Sequence, residues 1–130
     1  MGALDTIRAR IGDFAGYDDD DRRRLADEQI RAYVGERLAA LPAVDVDTLP
    51  AEERARYDRV LLRAEFLNQH AFRSFEDDAT PERIAALLAA DEQLVEAAKE
   101  LEQVQGPVLD GVLERLEQAF DRRDAAMNGA

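Results

Sequence analysis

The chain has 130 residues, with no cysteine, no tryptophan and only one histidine. Without cysteine there are no disulfide staples, no thiolate metal sites and no thiol nucleophiles, and the absence fits a reducing compartment. No apolar run approaches the roughly 18–20 residues that span a bilayer. The stretch from Met1 to Phe14 is amphipathic, with Asp5, Arg8, Arg10 and Asp13, and it lacks the apolar core and cleavage site of a secretory signal. The expectation is a cytoplasmic protein with no membrane partner. Lysine is nearly missing too: arginine supplies 16 of the 17 basic residues, and Lys99 stands alone.

What is present is acid. A formal net charge of −12 repels phosphate backbones and anionic lipid surfaces, so nucleic acid is not an expected partner. The acidity, with abundant Ala and Arg over Lys, fits a halophile's proteome or a GC-rich genome. In the first case the charge serves solubility in concentrated salt. Hydrophobic residues make up 46% of the chain, enough for one real core without metal or disulfide.

Apolar residues recur with the helical period of about 3.6, and no segment alternates like a strand between turn signals. A short first helix over about 3–15 carries Leu4, Ile7, Ile11 and Phe14. The aspartate run Asp18 to Asp21 suits the first turn of a second helix, because carboxylates satisfy free amides and the positive dipole end. That helix continues to about Leu41, burying Ala26, Ile30, Tyr33, Val34 and Leu41. Gly35 within it hints at a close helix crossing. A third helix is expected from about Pro50 to Glu76. Thr80-Pro81-Glu82 starts a fourth, and Gly106-Pro107 ends or bends it. A last helix runs from Leu109 to Phe120, with a frayed tail from about 125. The expected architecture over 1–130 is a single all-α domain, an antiparallel four- to five-helix bundle.

Asp91 is out of place. At about 100° per residue it falls within the apolar stripe of Ile84, Leu88, Val95 and Ala98, and a bare buried carboxylate is costly. Arg37 beside Tyr33 and Val34, and Asn68 beside Leu61 and Phe75, occupy similar positions. A buried polar cluster of Asp91, Arg37 and Asn68 is therefore expected. Its structural reading is register-setting; its functional reading is a ligand or catalytic site.

His70 has no assignable base-and-nucleophile partners, and Leu67 stands where a Glu-x-x-His metal pair would need its glutamate. The aspartate run lacks the alternating ligands and central glycine of a calcium loop. No catalytic residue, metal site or cofactor is assigned. The remaining feature is the back of the third helix. Leu62 and Phe66 lie one turn apart there, surrounded by Arg59, Arg63, His70 and Arg73. They are simply exposed, covered by the first helix, or the centre of an interface with an arginine rim.

Three functional readings follow. The first is a non-enzymatic interaction protein (an adaptor, assembly factor or small oligomeric scaffold) whose partner is another protein or a second copy. The second is a small-molecule or metal-binding bundle with its site around Asp91. The third is an acidic surface that binds a basic partner.

Overall fold

The computed structural model describes residues 2–129. Six α-helices account for most of them, and no strand occurs among the described residues: α1 (Ala3–Arg10), α2 (Arg23–Ala39), α3 (Ala51–Glu65), α4 (Gln69–Asp77), α5 (Pro81–Glu100) and α6 (Gly106–Asn128). No helix among them is long and apolar enough to cross a membrane.

Local chemistry sets the boundaries. The Asp19 carboxylate accepts the Asp21 amide, making a single 3₁₀ turn over Asp20–Arg22 that feeds α2. Thr80 Oγ1 accepts the Arg83 amide at 3.2 Å, and Pro81 opens α5, where its missing N–H costs nothing. Gly106 and Pro107 start α6, and the turn before them separates α5 from it. The end of α6 differs from expectation: the helix runs to Asn128, with Ala126 and Met127 buried rather than frayed. Gly129 then closes it in the left-handed conformation, φ 77°, as a terminal glycine readily does.

The expected third helix is two. α3 stops at Glu65, and Phe66 adopts extended angles of φ −122° and ψ 129°. Asn68 then caps α4, its Oδ1 accepting the Ala71 amide at 3.1 Å. An asparagine side chain competes for backbone amides more effectively as a cap than in mid-helix. Across the break, Arg31 Nη1 donates to the terminal carbonyls of Ala64 and Glu65, which have no intrahelical partner.

The four long helices pack in a closed ring in the order α2, α3, α6, α5. Cross-helix contacts give their directions. Tyr57 Oη donates to the Leu38 carbonyl while Arg31 reaches Ala64, so α2 and α3 run oppositely. Arg122 pairs with Gln93 and Arg115 with Glu100, so α5 and α6 also run oppositely. Between α3 and α6, however, Arg56 meets Asp110, Arg59 meets Glu117 and Arg63 meets Asp121, at nearly constant separations of 54, 58 and 58 residues. These two helices are parallel. The expectation of an antiparallel bundle of four or five helices is therefore met within each of two hairpins, α2–α3 and α5–α6, but not between α3 and α6, and α1 and α4 are added.

α1 ends at Arg10, short of the expected boundary, and packs on α5 rather than on the back of α3. The chain after it is still core: Phe14 and Tyr17 are buried. At Gly35 an added methyl would lie 3.7 Å from Ala64 Cβ, an ordinary contact, so the crossing is close but does not require glycine.

Candidate functional site

Four charged side chains and one phenol meet where α2, α5 and α6 converge beneath the 11–22 connection. Arg123 of α6 is the centre. Its Nε donates to Asp91 Oδ1 at 2.7 Å, and its Nη2 lies 2.7 Å from Asp27 Oδ1. Asp27 is held from its other oxygen by Arg31, one turn along α2, at 2.8 Å. Asp91 Oδ2 accepts the Tyr17 hydroxyl at 2.5 Å. That hydroxyl also accepts from Arg123 Nη2 at 3.3 Å. Asp27, Asp91, Arg123 and Tyr17 are all buried. Two carboxylates and two guanidinium groups cancel in charge, the condition under which burying ions is tolerable.

Aromatic packing aims the phenol. The Tyr17 ring stands edge-on to Phe14 and to Phe75, with centroids 5.8 and 5.7 Å away. Arg23 Nε donates to the Tyr17 carbonyl at 2.8 Å, and its guanidinium lies 5.6 Å from the Phe75 ring centroid. Such stacking adds about 0.5–1.5 kcal/mol per aromatic pair beyond area burial. The connection between α1 and α2 is thus fixed to the core, and Tyr17 has one place to point.

Burial dominates the electrostatics of Asp91 and raises its carboxyl above the ordinary range. The Arg123 charge and the hydrogen bonds from Tyr17 and Arg123 pull it partly back, and the Asp27 charge adds to the rise. Burial and the neighbouring Asp91 carboxylate hold the Tyr17 phenol well above its usual value. Burial opposes the charge on Arg123, but Asp91, Tyr17 and Asp27 outweigh it and keep the guanidinium firmly protonated. Each Asp91 oxygen already accepts a hydrogen bond, and the residue has no exposure to solvent. Among the described residues no group of three or more His, Asp or Glu side chains is placed to share a metal ion.

Of the expected cluster, Asp91 is buried and Arg37 and Asn68 are elsewhere. Arg37 sits near the end of α2, and its long side chain leaves the core. It stacks 4.7 Å over the Tyr33 ring and lies 3.5 and 3.9 Å from Glu36 and Glu102, as an amphipathic stem allows. Asn68 is drawn away by its capping role and by a 3.2 Å bond to Asp124. The residues that do meet Asp91 carry a visible signal in two cases. Arg123 continues the apolar stripe of Leu109, Leu113, Leu116 and Phe120, three residues beyond Phe120 and four before Met127. Asp27 stands three and seven residues before Ile30 and Val34. Tyr17 lies outside any helix, where periodicity says nothing.

The back of α3 stays uncovered. Phe66 is 67% exposed and Leu62 55%. The arginines expected around them divide. Arg59 and Arg63 turn to α6, pairing with Glu117, Asp121 and Asp124. His70 and Arg73 lie exposed on the separate helix α4. Beside Phe66, at the α3–α4 break, a cavity of about 270 Å³ opens between α3 and α6. Neither protein families nor curated proteins nor solved structures give a match to this chain.

Proposed function

We propose that the protein is a non-enzymatic helical interaction module whose contact surface centres on Leu62 and Phe66. The observation that carries this reading is the exposure of two large apolar side chains one turn apart, Leu62 at 55% and Phe66 at 67%, while α1 packs on α5. Exposed aromatic anchors of this kind dominate protein–protein contacts. A second copy of the chain is the partner to test first. A net charge of −12 disfavours nucleic acid and anionic membranes as alternatives. The full burial of Asp91 also speaks against a ligand seated directly on its carboxylate.

The test is solution mass by light scattering, at low and at molar salt, for the native chain and for Phe66→Asp. The expected result is a native mass above the 14.5 kDa of one chain at both salts, because apolar contact is not weakened by screening. Phe66→Asp should be a folded monomer. A native chain that is monomeric at both salts, with Phe66→Asp indistinguishable from it, overturns self-association through this face.

A further inference from the structure

We propose that Arg31 is the positioning residue of the Leu62–Phe66 face, tying the peptide group that carries Phe66 to the buried ion set. No proline or glycine breaks the helix there: the run is Ala64-Glu65-Phe66-Leu67-Asn68. In an unbroken helix the carbonyls of Ala64 and Glu65 would accept the amides of Asn68 and Gln69. Here they accept Arg31 Nη1 instead, at 3.4 and 3.2 Å, and among the described residues neither takes a backbone amide from beyond α3. The Glu65 carbonyl belongs to the peptide group that ends in the nitrogen and Cα of Phe66. That group is planar, so a guanidinium on its oxygen fixes the direction in which the chain leaves α3. Phe66 follows in extended conformation and stands outside.

Arg31 holds that position because its other two nitrogens are anchored. Nε and Nη2 both donate to Asp27 Oδ2 at 2.8 Å, and the side chain is only 13% exposed. Asp27 Oδ1 in turn faces Arg123 Nη2, which also donates to Tyr17, while Arg123 Nε holds Asp91. A planar fork of five donors lets one side chain serve a carboxylate and two carbonyls at once. An ammonium is a single point of charge and reaches one or the other. The contacts therefore run unbroken from the α1–α2 connection, through α5, α6 and α2, to the end of α3. Across the break, Asn68 caps α4 and ties it to α6 through Asp124. An anchor side chain that is fixed before contact loses less freedom on binding, and this is what Arg31 supplies to Phe66.

The inference rests on the interaction reading and deepens it. Its test is amide hydrogen exchange, together with the self-association constant, for the native chain, Arg31→Met and Arg31→Lys. The methionine substitution removes both the clamp and a counter-charge of Asp27. The lysine substitution keeps a cation beside Asp27 and so keeps the fold, but it gives up the carbonyls. The amides of Phe66 and Ala71 are bonded on either side of the break. In Arg31→Lys they should exchange about tenfold faster, as losing a charge-assisted hydrogen bond implies, while amides inside α5 and α6 keep their native rates. Self-association of that variant should weaken about fivefold, because a loosened anchor must be ordered on contact. Native rates at Phe66 and Ala71 overturn the proposal. So does an equal acceleration through all helices of Arg31→Lys, since Arg31 then serves general stability alone. Faster exchange at the break with unchanged self-association overturns it as well. A native chain that is monomeric fails the interaction reading by itself, and the exchange rates still decide whether Arg31 sets the break.

Discussion

Arginine–carboxylate pairs occur in this molecule in two settings that share their chemistry and differ in solvent. Along the α3–α6 seam, Arg56, Arg59 and Arg63 face Asp110, Glu117, Asp121 and Asp124, with each side chain partly in water, 24–69% exposed. Between α2, α5 and α6, Asp27, Asp91 and Arg123 meet at similar distances with no exposure to speak of. In water the attraction is screened and offset by the entropy of holding long side chains still, leaving about 0–1 kcal/mol per pair. In the core each ion has lost its hydration and depends on its partner. The seam therefore helps to align two parallel helices at little energetic consequence. The buried set adds little net stability over an apolar core, but it penalises any packing in which its members fail to meet.

The largest effect should come from removing the shared cation. Arg123→Leu leaves Asp91 without a counter-ion and Asp27 with Arg31 alone. A cost of about 3–5 kcal/mol is expected, a large part of the 5–15 kcal/mol typical of a whole domain. Urea denaturation followed by circular dichroism measures it. If Arg123→Leu fails to fold, the combined Arg123→Leu, Asp91→Leu and Asp27→Asn variant decides. Recovery of a cooperative transition supports a network that specifies packing, since apolar replacement of a whole buried ion set is often neutral or better. A loss below about 1 kcal/mol for the single variant would make the buried set equivalent to the seam, and the contrast would collapse.

Next in size is Asp91→Asn, whose effect depends on pH in a direction that burial dictates. The folded carboxyl sits above its ordinary value of 3.8, so the folded state holds the Asp91 proton more tightly than the unfolded chain does. That contribution to stability is complete below the unfolded value and is lost as pH rises through the folded one. The native chain should therefore exceed Asp91→Asn by most below the ordinary value of 3.8, and the difference should shrink as pH rises above it. At acid pH the difference is expected to be about 1–3 kcal/mol, the cost of disturbing a buried hydrogen bond. Urea midpoints for both chains across this range give the slope. A difference that grows with pH would mean that Arg123 outweighs burial and that Asp91 behaves like an ordinary ion-paired carboxylate.

The two settings were not equally legible in the sequence. The helical pattern, the start of α5 at Thr80-Pro81 and the buried place of Asp91 follow from periodicity and capping, because those are local, whereas the aspartate run caps only the 3₁₀ turn ahead of α2, which itself begins at Arg23. The partners of Asp91 are a matter of which helices are neighbours and in which sense they run, and no local pattern carries that. A single rule, charged residues on apolar stripes, finds Asp27 and Arg123 as well as Asp91. It also finds Arg37, whose position near a helix end lets its side chain escape. Asn68 misled for a related reason: an unbroken helix through 66–68 would place it inward, but its side chain caps a new helix and re-aims Phe66. Tyr17 has no signal at all, since its burial depends on a groove formed by distant helices.

The smallest expected effect concerns the seam. Arg63→Ala removes pairs with Asp121 and Asp124 and a contact 5.2 Å from the Phe120 ring centroid. Its partners are left partly in water, where they can hydrate, so the loss should be only about 0.2–1 kcal/mol at low salt. In about 1 M salt the screening length falls to roughly 3 Å, and the part of that loss owed to charge should vanish, leaving the contribution of packing on Phe120. The buried set is shielded from the added ions, so Arg123→Leu should cost nearly the same at both salts. Measuring the two variants side by side at low and molar salt thus separates the settings by their salt response alone. Arg63→Ala costs that are equal at both salts would place the seam among dry contacts, and its exposure would no longer explain its weakness.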